Sequence, residues 1–117
     1  MALTVQTQIS GDVFILACNG RIVSVDDCAV LRERVGNILR ESLKIVVNLQ
    51  EVDYIDSEGM GMLVGLLVSA RNRAGDLKLA SPRQRVTDLL RRTSLDTIFR
   101  VYANNDEAVA AFGEQVA

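Results

Sequence analysis

The sequence contains no histidine in its 117 residues. That removes Ser-His-Asp and Cys-His nucleophile activation, imidazole acid–base chemistry and the usual zinc ligand sets. Only two cysteines are present, Cys18 and Cys28, both in apolar patterns and without a C-x-x-C spacing. Buried, reduced thiols in a cytosolic protein are the expectation. The N-terminus lacks a basic stretch followed by an apolar core, so no signal peptide is expected. The longest apolar run, Met60 to Val68, contains Gly65 and falls far short of the roughly 20 residues a membrane helix needs. The formal net charge is only -2, which does not call for nucleic acid or an anionic membrane as partner. Arg71, Arg73, Arg83, Arg85, Arg91 and Arg92 read as solvated helix faces. A cytoplasmic domain is therefore expected, with no cofactor and no metal.

What is present suffices for one core. The composition is 49% hydrophobic and 24% charged, with no sign of disorder, and the length suits a single domain over 1–117. Leu3 to Ile9 alternates apolar and polar, as a strand with one wet face should. Ser10-Gly11-Asp12 then turns the chain into the continuous apolar run Val13–Cys18, which predicts a hairpin. Asn19-Gly20 reads as a strand break, with Arg21-Ile22-Val23 following in extended or loop form. Ser24 suits an N-cap, with Asp27 at the capping-box position, and Cys28, Leu31, Val35, Ile38 and Leu39 give an amphipathic helix ending near Ser42. Lys44–Leu49 is β-branched and apolar on successive residues, as in a central strand covered on both faces.

A helix follows from about Gly59 to Ala74, with Gly61, Gly65 and Ser69 as a small-residue stripe for close packing on the sheet and Gly75 as its stop. Leu77–Ala80 reads as a strand. Ser81-Pro82-Arg83-Gln84 reads as a helix start with Ser81 as N-cap, leading to the buried stripe Val86, Leu89, Leu90. Ile98–Tyr102 reads as a last strand. Asn104 and Glu107 cap a closing helix bearing Ala108, Phe112 and Val116. The order β-β-α-β-α-β-α-β-α defines an α/β domain with a mixed, mainly parallel five-stranded sheet and about four helices.

The unusual stretch is Asp56-Ser57-Glu58-Gly59, a polar corner between a strand and a helix that is apolar nearly all round. It follows the carboxyl end of a central strand, where open α/β sheets place their ligands. Gly59-Met60-Gly61-Met62-Leu63-Val64-Gly65 is a weak dinucleotide-binding match, because Asp56 and Glu58 would repel a pyrophosphate. An aspartyl-phosphate receiver using Asp56 lacks the acidic pair and the late lysine it needs. Ser57 as a phosphorylated switch fits better. A helix start offers free backbone N–H groups and partial positive charge, and phosphate adds about -1.5 to -2 charges next to Asp56 and Glu58. A partner docked on an apolar patch at Met60 and Met62 would then be repelled. The plain alternative is that Ser57 only caps the helix while the methionines fill the core.

Val46-Val47-Asn48-Leu49, then Ile55-Asp56-Ser57 and Gly59-Met60-Gly61, resembles the signature of STAS domains of bacterial anti-sigma factor antagonists. Gly20, Leu77-Lys78-Leu79 with Ser81-Pro82, Leu95-Asp96 with Ile98-Phe99, and Ala108 with Phe112 extend the likeness over nearly the whole chain. The resemblance implies a single STAS domain that is no enzyme but the protein substrate of an anti-sigma factor serine kinase. Unphosphorylated, it would bind that kinase; phosphorylated on Ser57, it would let go, and a metal-dependent serine phosphatase would reset it. The implied partner surface is Arg21, Val23, Ser24, Asp56, Glu58, Gly59, Met60, Gly61, Met62 and Ser81. Family members often read Gly-Glu-Leu-Asp where this chain has Gly20-Arg21-Ile22-Val23, and a small polar residue where it has Glu58, so the kinase contact is expected to differ in detail. Ser94 stands where a glycine is common. A constitutive STAS interaction or scaffold module, never switched by phosphate, is the alternative.

Overall fold

The computed structural model describes residues 2–113. Five strands form one sheet in sequence order: β1 (Thr4–Ser10), β2 (Val13–Ile22), β3 (Lys44–Ile55), β4 (Asp76–Ala80) and β5 (Val101–Tyr102). β1 runs antiparallel to β2, and every other pairing is parallel. The helices are α1 (Val25–Ile38), α2 (Ser57–Asn72), α3 (Gln84–Arg92) and α4 (Asn105–Gly113), with a short 3-10 turn at Leu95–Thr97. The fold class and element order read from the sequence are those observed.

Sequential parallel strands joined by right-handed crossovers must place their connecting helices on one face. The larger core lies there: Leu16, Ile45, Val47, Leu77 and Leu79 from the sheet meet Leu31 and Val35 of α1, Leu63 and Leu67 of α2, and Leu90 of α3. The opposite face is closed by α4 alone, whose Ala108 and Phe112 cover Val13, Ile15, Val46 and Ala80. Residues 45–49 are all buried, which explains why four of the five are apolar, and Asn48 among them donates to Asn105 Oδ1 at 2.8 Å. Val116 lies outside the described residues.

Several local expectations change. Gly20 does not break the strand. β2 continues to Ile22 through a register shift, with Gly20 at φ 118 and its α-carbon too close to the Ala2 carbonyl for a side chain, at 3.0 Å for an added Cβ. α1 ends at Ile38, earlier than expected. Asp27 does more than face Ser24 across the start of α1. Ser24 Oγ does accept from the Asp27 N–H at 3.0 Å, but the Asp27 carboxylate accepts from Leu3 N at 3.1 Å and Val23 N at 3.3 Å. It thus ties the start of β1 to the loop before α1.

Ser81 is not the cap of α3. It sits at φ 55 with its hydroxyl donating to the Ala103 carbonyl, and the helix starts three residues later at Gln84 with no side-chain cap. At the end of α2 the left-handed residue is Ala74 (φ 65), not Gly75. Gly75 is needed for another reason: an added Cβ would overlap the Leu43 carbonyl. The last strand shrinks to two residues because Leu95–Thr97 coils first. Asn104 does cap α4, its Oδ1 accepting from Glu107 N at 2.8 Å.

Candidate functional site

β3 outruns β4. Its pairing with β4 stops at Asn48, while its pairing with β2 continues to Ile55 opposite Ile22. The corner therefore stands on a two-stranded projection, and its inner wall is the end of β2. Asp56 N donates to the Ile22 carbonyl at 3.4 Å. Gly59 lies against the same carbonyl so closely that an added Cβ would overlap it, and would also sit 3.0 Å from the γ2 methyls of Ile22 and Ile55. Only glycine lets the first turn of α2 approach this way.

Asp56, not Ser57, is the N-cap. Its Oδ1 accepts from Gly59 N at 2.8 Å, and its carbonyl accepts from Met60 N at 2.9 Å. Ser57 is the first residue of the helix, exposed, with no partner for its hydroxyl among the described residues. Its backbone N–H and that of Glu58 also find no acceptor among the described residues. The corner thus offers an unengaged hydroxyl at a helix end where partial positive charge is concentrated.

The expected site residues separate into three groups. Arg21, Val23 and Ser24 are brought beside the corner, because Arg21 pairs with Tyr54 and Ile22 with Ile55. Arg21 and Glu58 are exposed, and Val23 and Ser24 are half-buried. Gly61 faces solvent one turn on from Ser57. Met60 and Met62 do not form an exposed patch: they are 3% and 7% exposed. Met60 packs into the sheet-side core, and Met62 with Leu66 borders a groove against Arg32 of α1. Most of the apolar girth of α2 thus packs on the sheet and α1, with Val68 left 50% exposed. The stripe Gly61, Gly65, Ser69 points to solvent, not to the sheet.

Ser81 is not brought to the corner. It lies with Gln50 and Glu51 in a separate hollow, about 20 Å back along β3 at about 3.3 Å per residue.

Residues that sequence reasoning passed over also shape the site. Arg83 fills the space that β4 vacates, donating to the Gln50 carbonyl at 2.7 Å and pairing with Asp53 at 2.5 Å and Glu51 at 3.4 Å. From the sequence it reads only as part of a solvated helix face, whereas here it is tied to β3. Tyr54 and Val25 are 43% and 67% exposed and flank the corner as its apolar surface. Tyr54 also borders a cleft of about 300 Å³ with Ile55, Arg85, Val86, Leu89 and Arg92. Burial raises the pKa of Cys28 beneath the corner, and the nearby negative charge of Glu58 adds to that, so this thiol stays protonated.

No group of three or more His, Cys, Asp or Glu among the described residues is arranged to hold a metal ion. The carboxylate that a receiver reading would use, Asp56, is engaged as the cap of α2, accepting from Gly59 N. The glycine that a dinucleotide would need is filled by Ile22. What the geometry leaves open at the corner is one exposed serine at the start of α2.

Residues 4–108 match the STAS domain family, and the chain belongs to it. It is similar to the anti-sigma-B factor antagonist of Bacillus subtilis, 29% identical over 87 residues, which span 74% of this chain and 80% of that protein. A candidate anti-sigma factor antagonist of Thermotoga neapolitana is 38% identical over 66 residues, covering 56% of this chain and 58% of its own length. The crystal structure of a candidate anti-sigma factor antagonist from Thermotoga maritima superposes with a TM-score of 0.84 at 29% identity, over 92% of each chain.

Proposed function

We propose that this domain is an anti-sigma factor antagonist in a partner-switching pathway. Unphosphorylated, it binds an anti-sigma factor serine kinase; phosphorylated on Ser57, it is released; a metal-dependent serine phosphatase restores it. The domain is the substrate in this cycle and not an enzyme, it makes no contact with nucleic acid, and it works in the cytoplasm where ATP drives the kinase.

One observation carries the reading. Ser57 stands exposed at the first position of α2 with its hydroxyl unengaged, on a turn held rigid by the Asp56 cap and by the contact of Gly59 with Ile22. A rigid, accessible hydroxyl is what a kinase needs to align for in-line transfer. The resulting phosphate sits at a helix N-terminus, where free N–H groups and the dipole accommodate its charge, so the fold persists while the surface changes sign. The names of the relatives support the same class of activity. The docking surface is Arg21, Val23, Ser24 and Val25 on one side of Ser57, with Glu58 and Gly61 on the other. Phosphate placed at its centre, beside Asp56 and Glu58, repels any partner that had accepted the neutral surface.

A constitutive module is the second reading, favoured by Glu58, which already places a carboxylate next to Ser57. The two are separated by Ser57→Ala and Ser57→Asp, tested for binding to a serine kinase co-purified from the native cells. The switch predicts that Ser57→Ala binds and takes up no phosphate, while Ser57→Asp binds at least tenfold more weakly. Equal affinity of the two variants sinks the switch and leaves the scaffold.

A further inference from the structure

Both borders of the sheet are single strands, but they differ. β5 contributes two residues, whereas β1 presents seven, Thr-Val-Gln-Thr-Gln-Ile-Ser. Proteins usually blunt such an edge with charge, proline, a bulge or brevity. β1 uses none of them: it carries no charge and no proline, and its register with β2 is unbroken from Thr4 to Ser10. No backbone group of β1 bonds outward among the described residues, and its one side-chain hydrogen bond beyond the sheet among them is Arg34 Nη1 donating to the Thr7 hydroxyl at 3.1 Å. Ile9 lies 62% exposed on this edge, on the same pleat face as buried Leu3 and Val5.

The strand is chemically symmetric about Thr7. Gln6 matches Gln8, Val5 matches Ile9, and Thr4 matches Ser10. We propose that β1 pairs antiparallel with β1 of a second copy of this chain, on a two-fold axis through Thr7, so that one sheet runs through both molecules. In that register each residue meets its chemical counterpart. Ile9 of one copy sits opposite Val5 of the other at about 5 Å between Cβ atoms, and so gains an apolar neighbour on its open side to match Phe14 of β2 on the other. A foreign strand could satisfy the backbone groups equally well, but it would have no reason to match this symmetry. That is why the second copy is the occupant argued here.

A strand of seven residues spans about 24 Å. Edge pairing of that length buries less than the roughly 1,000 Å² of a stable interface, so the dimer is reversible. The two Arg34 side chains flank the axis, and salt, by screening them, strengthens the association.

The test is sedimentation equilibrium of the full chain from about 10 μM to about 1 mM, with far-UV circular dichroism confirming that each variant is folded. Wild type is expected to dimerise within this range, more tightly at high salt. Gln6→Lys combined with Gln8→Glu sets opposite charges across the axis twice, and raises the association constant about three- to tenfold at low salt. Gln6→Lys combined with Gln8→Lys sets like charges there and removes the dimer, as does Ile9→Lys. A wild type that stays monomeric throughout overturns the proposal. So does a dimer that the two glutamine pairs leave unchanged, since that dimer would use another surface.

Discussion

Replacing Gly59 by alanine tests the packing that fixes Ser57. An alanine Cβ at this position overlaps the Ile22 carbonyl and presses to 3.0 Å on the γ2 methyls of Ile22 and Ile55. None of the three can yield cheaply: the carbonyl belongs to the strand end that pairs with β3 at Ile55, and it also accepts from Asp56 N. Overpacking of this kind costs about 1–3 kcal/mol, against at most about 1 kcal/mol gained from replacing glycine inside a helix. We therefore expect Gly59→Ala to lose about 1–2 kcal/mol. Gly65 supplies the control on the same helix, since nothing lies within 4 Å of its added Cβ and it is exposed. Gly65→Ala should gain about 0.5–1 kcal/mol, the propensity term alone. Urea unfolding followed by far-UV circular dichroism measures both, with m unchanged if only stability moves. At about 3–5 °C per kcal/mol, the two variants should separate clearly in Tm. A Gly59→Ala protein as stable as Gly65→Ala would refute the reasoning. It would mean that α2 does not rest on Ile22 and that Ser57 is not rigidly held.

The remaining predictions use the same assays. Asp56→Ala removes the cap of α2 and should cost about 1 kcal/mol, while Asp56→Asn, which keeps an accepting oxygen, should cost less. Asp27→Ala leaves the N–H groups of Leu3 and Val23 without their acceptor, and should cost about 1–3 kcal/mol in urea unfolding at pH 7. Burial opposes ionisation of Asp27, but the donated bonds from Leu3, Val23 and Ser24 outweigh it and hold the pKa below its ordinary value. Its contribution is therefore fully present above the unfolded pKa of about 3.9 and is lost as pH falls through the folded value, so the gap between wild type and Asp27→Asn should narrow in acid. Burial pushes the Cys18 thiol up to about 12, and it should not react with a thiol reagent at pH 8 until urea unfolds the protein. Rapid labelling of the native chain would contradict the placement of Cys18 in the core.

Much of the fold was legible because its signals are local. The β-branched, apolar stretch Ile45-Val46-Val47 followed by Leu49 announces a strand covered on both faces, and both faces are covered. The three-and-four spacing of Cys28, Leu31, Val35 and Ile38 gives the buried face of α1. What failed depended on tertiary contact. Ser81-Pro82 carries a strong local helix-start pattern, yet the Ser81 hydroxyl and N–H are taken by Ala103 and Tyr102 from the neighbouring strand, and the helix begins later. Gly61 and Gly65 were read as packing against the sheet, but spacing alone does not say which side of a helix faces it. The same ambiguity put Met60 and Met62 on the surface. Lys78 is 1% exposed inside β4, with its ammonium 4.8 Å from the centre of the Phe112 ring and paired with Asp76 at 3.4 Å. No strand pattern would bury a lysine; α4 does, by closing over it. At the corner, residue types were readable and roles were not. Asp56 and Ser57 are both good caps, and only the path of the backbone assigns the cap to Asp56 and leaves Ser57 free.

The most direct measurement follows the wild-type chain bound to the serine kinase that co-purifies with it, before and after ATP is added. Intact mass, phosphosite mapping and size-exclusion chromatography are read on the same samples. The account predicts one phosphate per chain, on Ser57, appearing in step with release from the kinase. Release without phosphate on Ser57, or full phosphorylation of Ser57 in a complex that stays together, would contradict it.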